Sequence, residues 1–148
     1  MNKIRIRINI FIGVLFFFSA ASLNPIFSQD SVIDSLLNEL LLAKEDTSKI
    51  KIFLNLSWEH HNSNPTKTVE YAKSALSLSE SIGYDYGVAR SLNHIGIGLD
   101  VQGELDEAMK YYQSALDFAT EMEDEKLIRS YLNNVGLIVD STNPQLKR

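Results

Sequence analysis

The chain of 148 residues contains no cysteine. This absence excludes a disulfide framework, a cysteine nucleophile, a Cys-ligated zinc site and the lipidated cysteine of a bacterial lipoprotein. Proline and glycine are scarce as well, at three and seven residues, which leaves room for long helices. Hydrophobic residues make up 45% and charged residues 22%, so the composition is that of a globular chain with about one domain.

The first 28 residues differ in character from the rest. Three basic residues precede an almost wholly apolar run over residues 8–21: Lys3, Arg5 and Arg7. A basic start, a short apolar core and small residues before a cleavage point are typical of a secretory signal peptide. We therefore predict a signal peptide over residues 1–28 and export to the periplasm or the exterior. The alternative is an uncleaved segment that anchors the chain in the inner membrane.

Removal of this segment makes the chain more acidic. Three of the 14 lysines and arginines lie in it and no acidic residue does, so 11 basic residues remain against 19 acidic ones, a net charge of −8. Proteins that bind nucleic acid or anionic lipid present a basic face. We therefore expect no nucleic-acid partner, and the acidic balance favours solubility.

Apolar residues recur at spacings of three and four from Ser31 onward, which predicts helices almost throughout and no strand. Asn64 followed by Pro65 is typical of a helix start, and Gly83 and Gly103 are typical of helix ends. A helical pattern over residues 32–41 and another from about residue 50 are separated by a polar break at residues 45–48, where Asp46 or Thr47 is a candidate N-cap. The later predicted helices cover residues 65–82, 85–101, 105–122 and 124–140.

The sequence repeats with a period of forty residues. Residues 71–76 (YAKSAL) align with residues 111–116 (YYQSAL), and residues 89–96 align with residues 129–136 at a leucine, an asparagine and a glycine. Fixed periods of this length indicate stacked helical units. The predicted fold is an all-α solenoid of antiparallel helix pairs over residues 29–148. It has about two and a half repeat units, at residues 45–84, 85–123 and, in part, 124–140.

The best repeat unit resembles the tetratricopeptide repeat family. Six residues match the family pattern: Leu92, Ile95, Gly96, Ala108, Tyr112 and Ala115. Gly96 and Ala108 are small, as is needed where two helices of a unit approach closely. The forty-residue period and the stretch from Leu54 to Glu59 are similar to the N-terminal sensor repeats of tetratricopeptide signalling proteins of the histidine-kinase type in Bacteroidetes. The chain departs from that pattern because no output domain follows the repeats.

This resemblance implies a non-catalytic scaffold that binds a protein or peptide on the concave face of the array. A truncated or detached sensor module of a two-component kinase or related regulator is the alternative. In such arrays the first helix of each unit lines the concave face, which implies these peptide-binding residues: Asn55, Arg90, Asn93, Ile97, Val101, Asn133 and Leu137. The asparagines are expected to bind a peptide backbone, or else to solvate a surface or bridge neighbouring helices.

Other candidate sites are weaker. His60 and His61 are adjacent and point about 100° apart on a helix, so we interpret them as an exposed helix end and expect no metal and no cofactor. Trp58 and Tyr86 are interpreted as packing residues. We expect no enzyme activity. Self-association is expected through an unpaired face of the last helix that carries Tyr131, Val135 and Ile138.

Overall fold

A computed structural model of the chain describes the backbone of residues 24–142 and the side chains of residues 30–140. The described residues form six helices and no strand, which confirms the all-α class. The helices are α1 (Asn24–Leu42), α2 (Thr47–His60), α3 (Pro65–Ser81), α4 (Asp85–Gln102), α5 (Leu105–Glu121) and α6 (Glu125–Thr142). The predicted signal peptide lies outside the described residues, except for residues 24–28, which open α1. Within the described range, no helix is both long and apolar enough to cross a membrane.

The predicted boundaries of the four helices from α3 onward agree with the observed ones to within two residues. Side-chain caps mark the starts of α2 and α3. The carboxylate of Asp46 accepts a hydrogen bond from the Ser48 amide at 2.8 Å, and the Asn64 side chain accepts one from the Lys67 amide at 3.1 Å. These bonds satisfy amides that have no partner inside the helix. At the other end of α4, Gly103 adopts a left-handed conformation with φ of 82°, which glycine adopts without a steric penalty.

Contacts divide the chain into two compact units, residues 1–35 and 36–148. In the first unit, the described residues are the opening turns of α1. In the second unit, each helix from α2 onward packs on the next one, and α2 also contacts α4. The connections between these helices are two to four residues long, so consecutive helices must reverse direction.

Helices α3 and α5 bury the same positions. Residues 65–80 and 105–120 agree at all 16 positions in being buried, half-buried or exposed. The buried pairs, forty residues apart, are Thr68 and Ala108, Ala72 and Tyr112, Ala75 and Ala115, and Ser79 and Ala119. The forty-residue period of the sequence is therefore also a period of the packing.

The six residues that match the tetratricopeptide pattern lie at the contact between α4 and α5. Five of them are buried and Leu92 is half-buried. A Cβ atom added to Gly96 would lie 2.7 Å from the Tyr112 ring, which is closer than carbon atoms pack. Gly96 thus lies where α4 meets a buried aromatic ring, and any larger side chain would displace that ring.

The prediction of an unpaired face at Tyr131, Val135 and Ile138 was wrong. Tyr131 is 2% exposed and Ile138 is 3% exposed. Tyr131 packs in a cluster with alanines of α4 and α5, while Ile138 and Val135 pack on α5 residues. These residues continue the core because α6 packs on α5. The exposed apolar side chains of α6 lie elsewhere and include Leu132 and Leu137.

Candidate binding groove

A groove of about 720 Å³ runs across α2, α4 and α6. All but two of its lining residues lie on these three helices; the exceptions are His61, which follows α2, and Tyr112 on α5. Helix α4 contributes to it along most of its length, from Tyr86 to Val101. Three alternate helices therefore share one surface, which we call the groove.

The structure places five of the seven residues assigned to peptide binding on the groove: Asn55, Arg90, Asn93, Ile97 and Val101. Asn133 and Leu137 are exposed and are not among its lining residues. On α6 it is Asn134 that lines the groove. Because successive helical residues are rotated by about 100°, a one-residue difference in alignment moves the amide from one face of α6 to another.

The asparagines do not form a uniform row of free amides. The Asn134 side-chain nitrogen donates to the Asn93 side-chain oxygen at 2.8 Å, joining α6 to α4. Asn93 is 8% exposed, so its main contact is within the protein. Asn55 is exposed on α2 and keeps its amide accessible to a ligand. Of the three roles left open for these amides, Asn93 bridges neighbouring helices, whereas Asn55 and Asn133 are exposed.

A second polar bridge joins α2 to α4 beside the groove. The Ser57 hydroxyl donates to the Thr68 carbonyl at 3.0 Å, so it accepts from His94 Nδ1, which lies 3.1 Å away. Burial, together with the positive charges of Arg90 and His61, lowers the pKa of His94 to about 4. Ser57 is fully buried and its proton is engaged, so this serine–histidine pair is not arranged as a nucleophile and base.

Aromatic side chains form an exposed wall of the groove. Trp58 is 50% exposed and Tyr86 is 38% exposed. The ring of His61 stacks on Trp58 with centroids 4.2 Å apart, and the Arg90 guanidinium lies 6.0 Å from the Tyr86 ring centroid. The interpretation of Trp58 and Tyr86 as packing residues missed this position. The helical spacing of Trp58 from Leu54 and Asn55 was the signal, because all three lie along the same side of α2.

The groove is more basic than the chain as a whole. Its charged lining residues are Arg90, Lys126 and Asp100. Among the described residues, the ion-pair geometry is met only by Lys49 and Glu45, so neither Arg90 nor Lys126 has a carboxylate partner in the part of the chain that the structure describes. Unpaired cations beside exposed aromatic rings are suited to a ligand that carries a carboxylate.

The floor of the groove contains a phenol without a protein partner. The Tyr131 hydroxyl is buried and makes no hydrogen bond with any described residue. Burial, the dominant effect, raises the pKa of Tyr131 above its usual range, so the phenol stays protonated at neutral pH and can donate. A buried polar atom with no partner costs about 1–3 kcal/mol, so this hydroxyl lowers the stability of the fold.

The histidine pair at the end of α2 is not exposed. His60 is 8% exposed and stacks on Tyr71, with centroids 5.7 Å apart, and His61 is half-buried against Trp58. The apolar side of α2 extends to its last turn, which carries His60 into the contact with α3. Among the described residues, no group of three histidine or acidic side chains is placed to hold a metal ion.

No protein-family model matches the chain, and no curated protein matches it either. The function must therefore be inferred from the groove and from the sequence.

Proposed function

We propose that the protein is a non-catalytic scaffold of the tetratricopeptide type that binds an extended peptide segment of a partner protein in the groove. The observation that carries the proposal is the groove itself. It is built from alternate helices, and its wall combines half-exposed aromatic rings with cations that lack a carboxylate partner. The basic, apolar N-terminal segment supports export of this scaffold.

The repeat arrangement is supported by three features. The burial of residues 65–80 is reproduced at residues 105–120. Helix α2 contacts α4 across the intervening α3, as expected when pairs of helices stack. Glycine stands at the close approach of α4 to the Tyr112 ring. Together they favour a stack of two helix pairs, α2–α3 and α4–α5, followed by α6.

The groove residues suggest how a peptide is held. Asn55 can hydrogen-bond to the backbone of an extended segment, as an amide offers both donors and an acceptor. Trp58 and Tyr86 provide faces for an apolar side chain. Arg90 and Lys126 are both positively charged donors, so an acidic side chain is the group that matches them. The preferred ligand is therefore a peptide with an apolar residue near an acidic one.

A random peptide library displayed on phage tests this proposal directly. Selection against the protein is expected to enrich peptides that combine an acidic and an apolar residue. Trp58 is the only tryptophan of the chain, so synthetic versions of the enriched peptides can be titrated by its fluorescence. A blue shift is expected, because the half-exposed indole becomes covered.

Paired variants separate groove binding from nonspecific attraction. Asn55→Ala and Lys126→Glu are expected to weaken binding of the enriched peptides, since both side chains are exposed on the groove. Asn62→Ala and Lys110→Glu are the matched controls, because these exposed residues lie outside its lining. A library that yields no enriched sequence, or peptides that bind all four variants equally, would overturn the proposal.

A further inference from the structure

The outward face of α6 carries a stripe of exposed residues whose spacing is the same when counted from either end. The central members are spaced four, three and four residues apart: Arg129, Asn133, Gly136 and Asp140. This spacing places them on one side of a helix, as in the seam between two packed helices. Leu132 and Leu137 flank the stripe, one on each side, and are 50% and 58% exposed.

The stripe is symmetric about the point between residues 134 and 135. If two copies of α6 lie antiparallel about that point, Arg129 lies level with Asp140 of the other copy, and Asn133 lies level with Gly136. The opposite charges at the two ends of the stripe therefore meet twice, once at each end. A parallel pair would instead set Arg129 against Arg129 and Asp140 against Asp140, and like charges repel.

The centre of the stripe allows the two helices to approach. A Cβ atom added to Gly136 would meet nothing within 4 Å, so the space outside this glycine is open in a single chain. Small residues at a helix crossing let backbones come close. Leu132 and Leu137 would then cover each side of the contact, which removes apolar surface from water.

We propose that α6 mediates an antiparallel two-fold dimer between copies of this chain, with two Arg129–Asp140 ion pairs at its ends and Gly136 at its centre. This interface goes beyond the proposed peptide binding and does not depend on it. Most of the groove-lining residues of α6, among them Tyr131 and Asn134, lie away from the stripe, whereas Lys126 lies one turn before Arg129.

Cysteine cross-linking tests the geometry, since the natural chain has no cysteine. In full-length chains, Gly136→Cys is expected to form a disulfide-linked dimer under mild oxidation. With about 1.5 Å of rise per residue, the two positions lie only about 4.5 Å apart along the helix. Lys126→Cys is expected not to cross-link, because the two copies would be about 25 Å apart along the helix. Asp117→Cys, an exposed position on α5, is a control for random collisions.

Charge reversal tests the pairing. In the Gly136→Cys background, Arg129→Asp or Asp140→Arg is expected to reduce the dimer yield by about tenfold, since each turns two attractive contacts into repulsive ones. The double variant is expected to restore the yield, and Lys110→Asp is expected to leave it unchanged. Cross-linking at Lys126→Cys as strong as at Gly136→Cys, no cross-linking at Gly136→Cys, or a double variant as weak as the single ones would each overturn the proposed dimer.

Discussion

The close approach at Gly96 predicts that two glycines related by the forty-residue repeat respond in opposite ways to the same substitution. Gly96 and Gly136 occupy matching positions of α4 and α6. A Cβ atom at Gly96 would lie 2.7 Å from two carbons of the Tyr112 ring and 3.2 Å from a third. A Cβ atom at Gly136 would meet nothing within 4 Å. The two alanine variants therefore differ in packing far more than in helix propensity.

The magnitudes follow from these distances. Alanine is favoured over glycine inside a helix by about 1 kcal/mol, so at a protein concentration low enough to keep the chain monomeric, Gly136→Ala should raise the free energy of unfolding by roughly that amount. At Gly96 the same gain is opposed by overpacking, which typically costs about 1–3 kcal/mol. The Tyr112 ring is only 2% exposed, so it cannot swing into solvent. Gly96→Ala should therefore lower the free energy of unfolding by up to about 2 kcal/mol.

Urea denaturation followed by circular dichroism measures both variants against the natural chain. A double-mutant cycle with Tyr112→Ala, which removes the ring, identifies the cause. Alanine is also the residue that occupies the matching position forty residues earlier, at Ala72. Gly96→Ala should then become stabilising, like Gly136→Ala. If Gly96→Ala raises stability in the natural background, or lowers it as much without the Tyr112 ring, the close-approach explanation is wrong.

Three further predictions concern the groove and a helix cap. Tyr131→Phe should raise the free energy of unfolding by about 1 kcal/mol, because it removes a buried hydroxyl without a partner. Thermal melts measure this effect, and a loss of stability would contradict the argument. Because the pKa of His94 is lowered to about 4, the fold favours neutral His94. The free energy of unfolding should therefore be highest above pH 6.5 and should fall by up to about 3 kcal/mol as the pH is lowered toward 4. Urea melts at several pH values measure this fall, and it should be absent from the His94→Asn variant. Asn64→Ala should lower stability by about 1 kcal/mol, whereas Asn62→Ala in the same melts should change it little.

The helices could be predicted because their signals are local. Asn64 with Pro65 and the glycine at Gly103 mark where backbone groups need a cap or a left-handed residue, and these needs do not depend on the rest of the fold. The positions that match the tetratricopeptide pattern are buried because apolar and small residues recur with the helical period. The burial of His60 is not visible locally, because it depends on Tyr71 of the next helix.

The groove was harder to predict because it depends on the rotation of each helix. The forty-residue alignment pairs Asn93 with Asn133, but the side chain that bonds to Asn93 is that of Asn134. An alignment compares equivalent positions, whereas a contact between two stacked helices joins non-equivalent ones. The prediction that Tyr131 is exposed on α6 was wrong for a related reason. Its burial depends on contacts with the preceding helices, which cover it.

Two polar bridges, one from α2 to α4 and one from α4 to α6, fix the rotation of α4 about its own axis. Apolar side chains at a helix contact tolerate small rotations, because their interactions are not directional. The Ser57–His94 and Asn93–Asn134 contacts are directional, and a rotation of α4 by one residue would leave buried polar atoms without partners, at about 1–3 kcal/mol each. Since α4 carries Arg90 on the turn next to His94, the bonds that hold α4 in place also hold Arg90 toward the groove. Asn93 thus serves the groove by fixing the rotation of α4. Under the proposed function, the contacts with a peptide are left to Asn55, the exposed rings and the cations without a carboxylate partner.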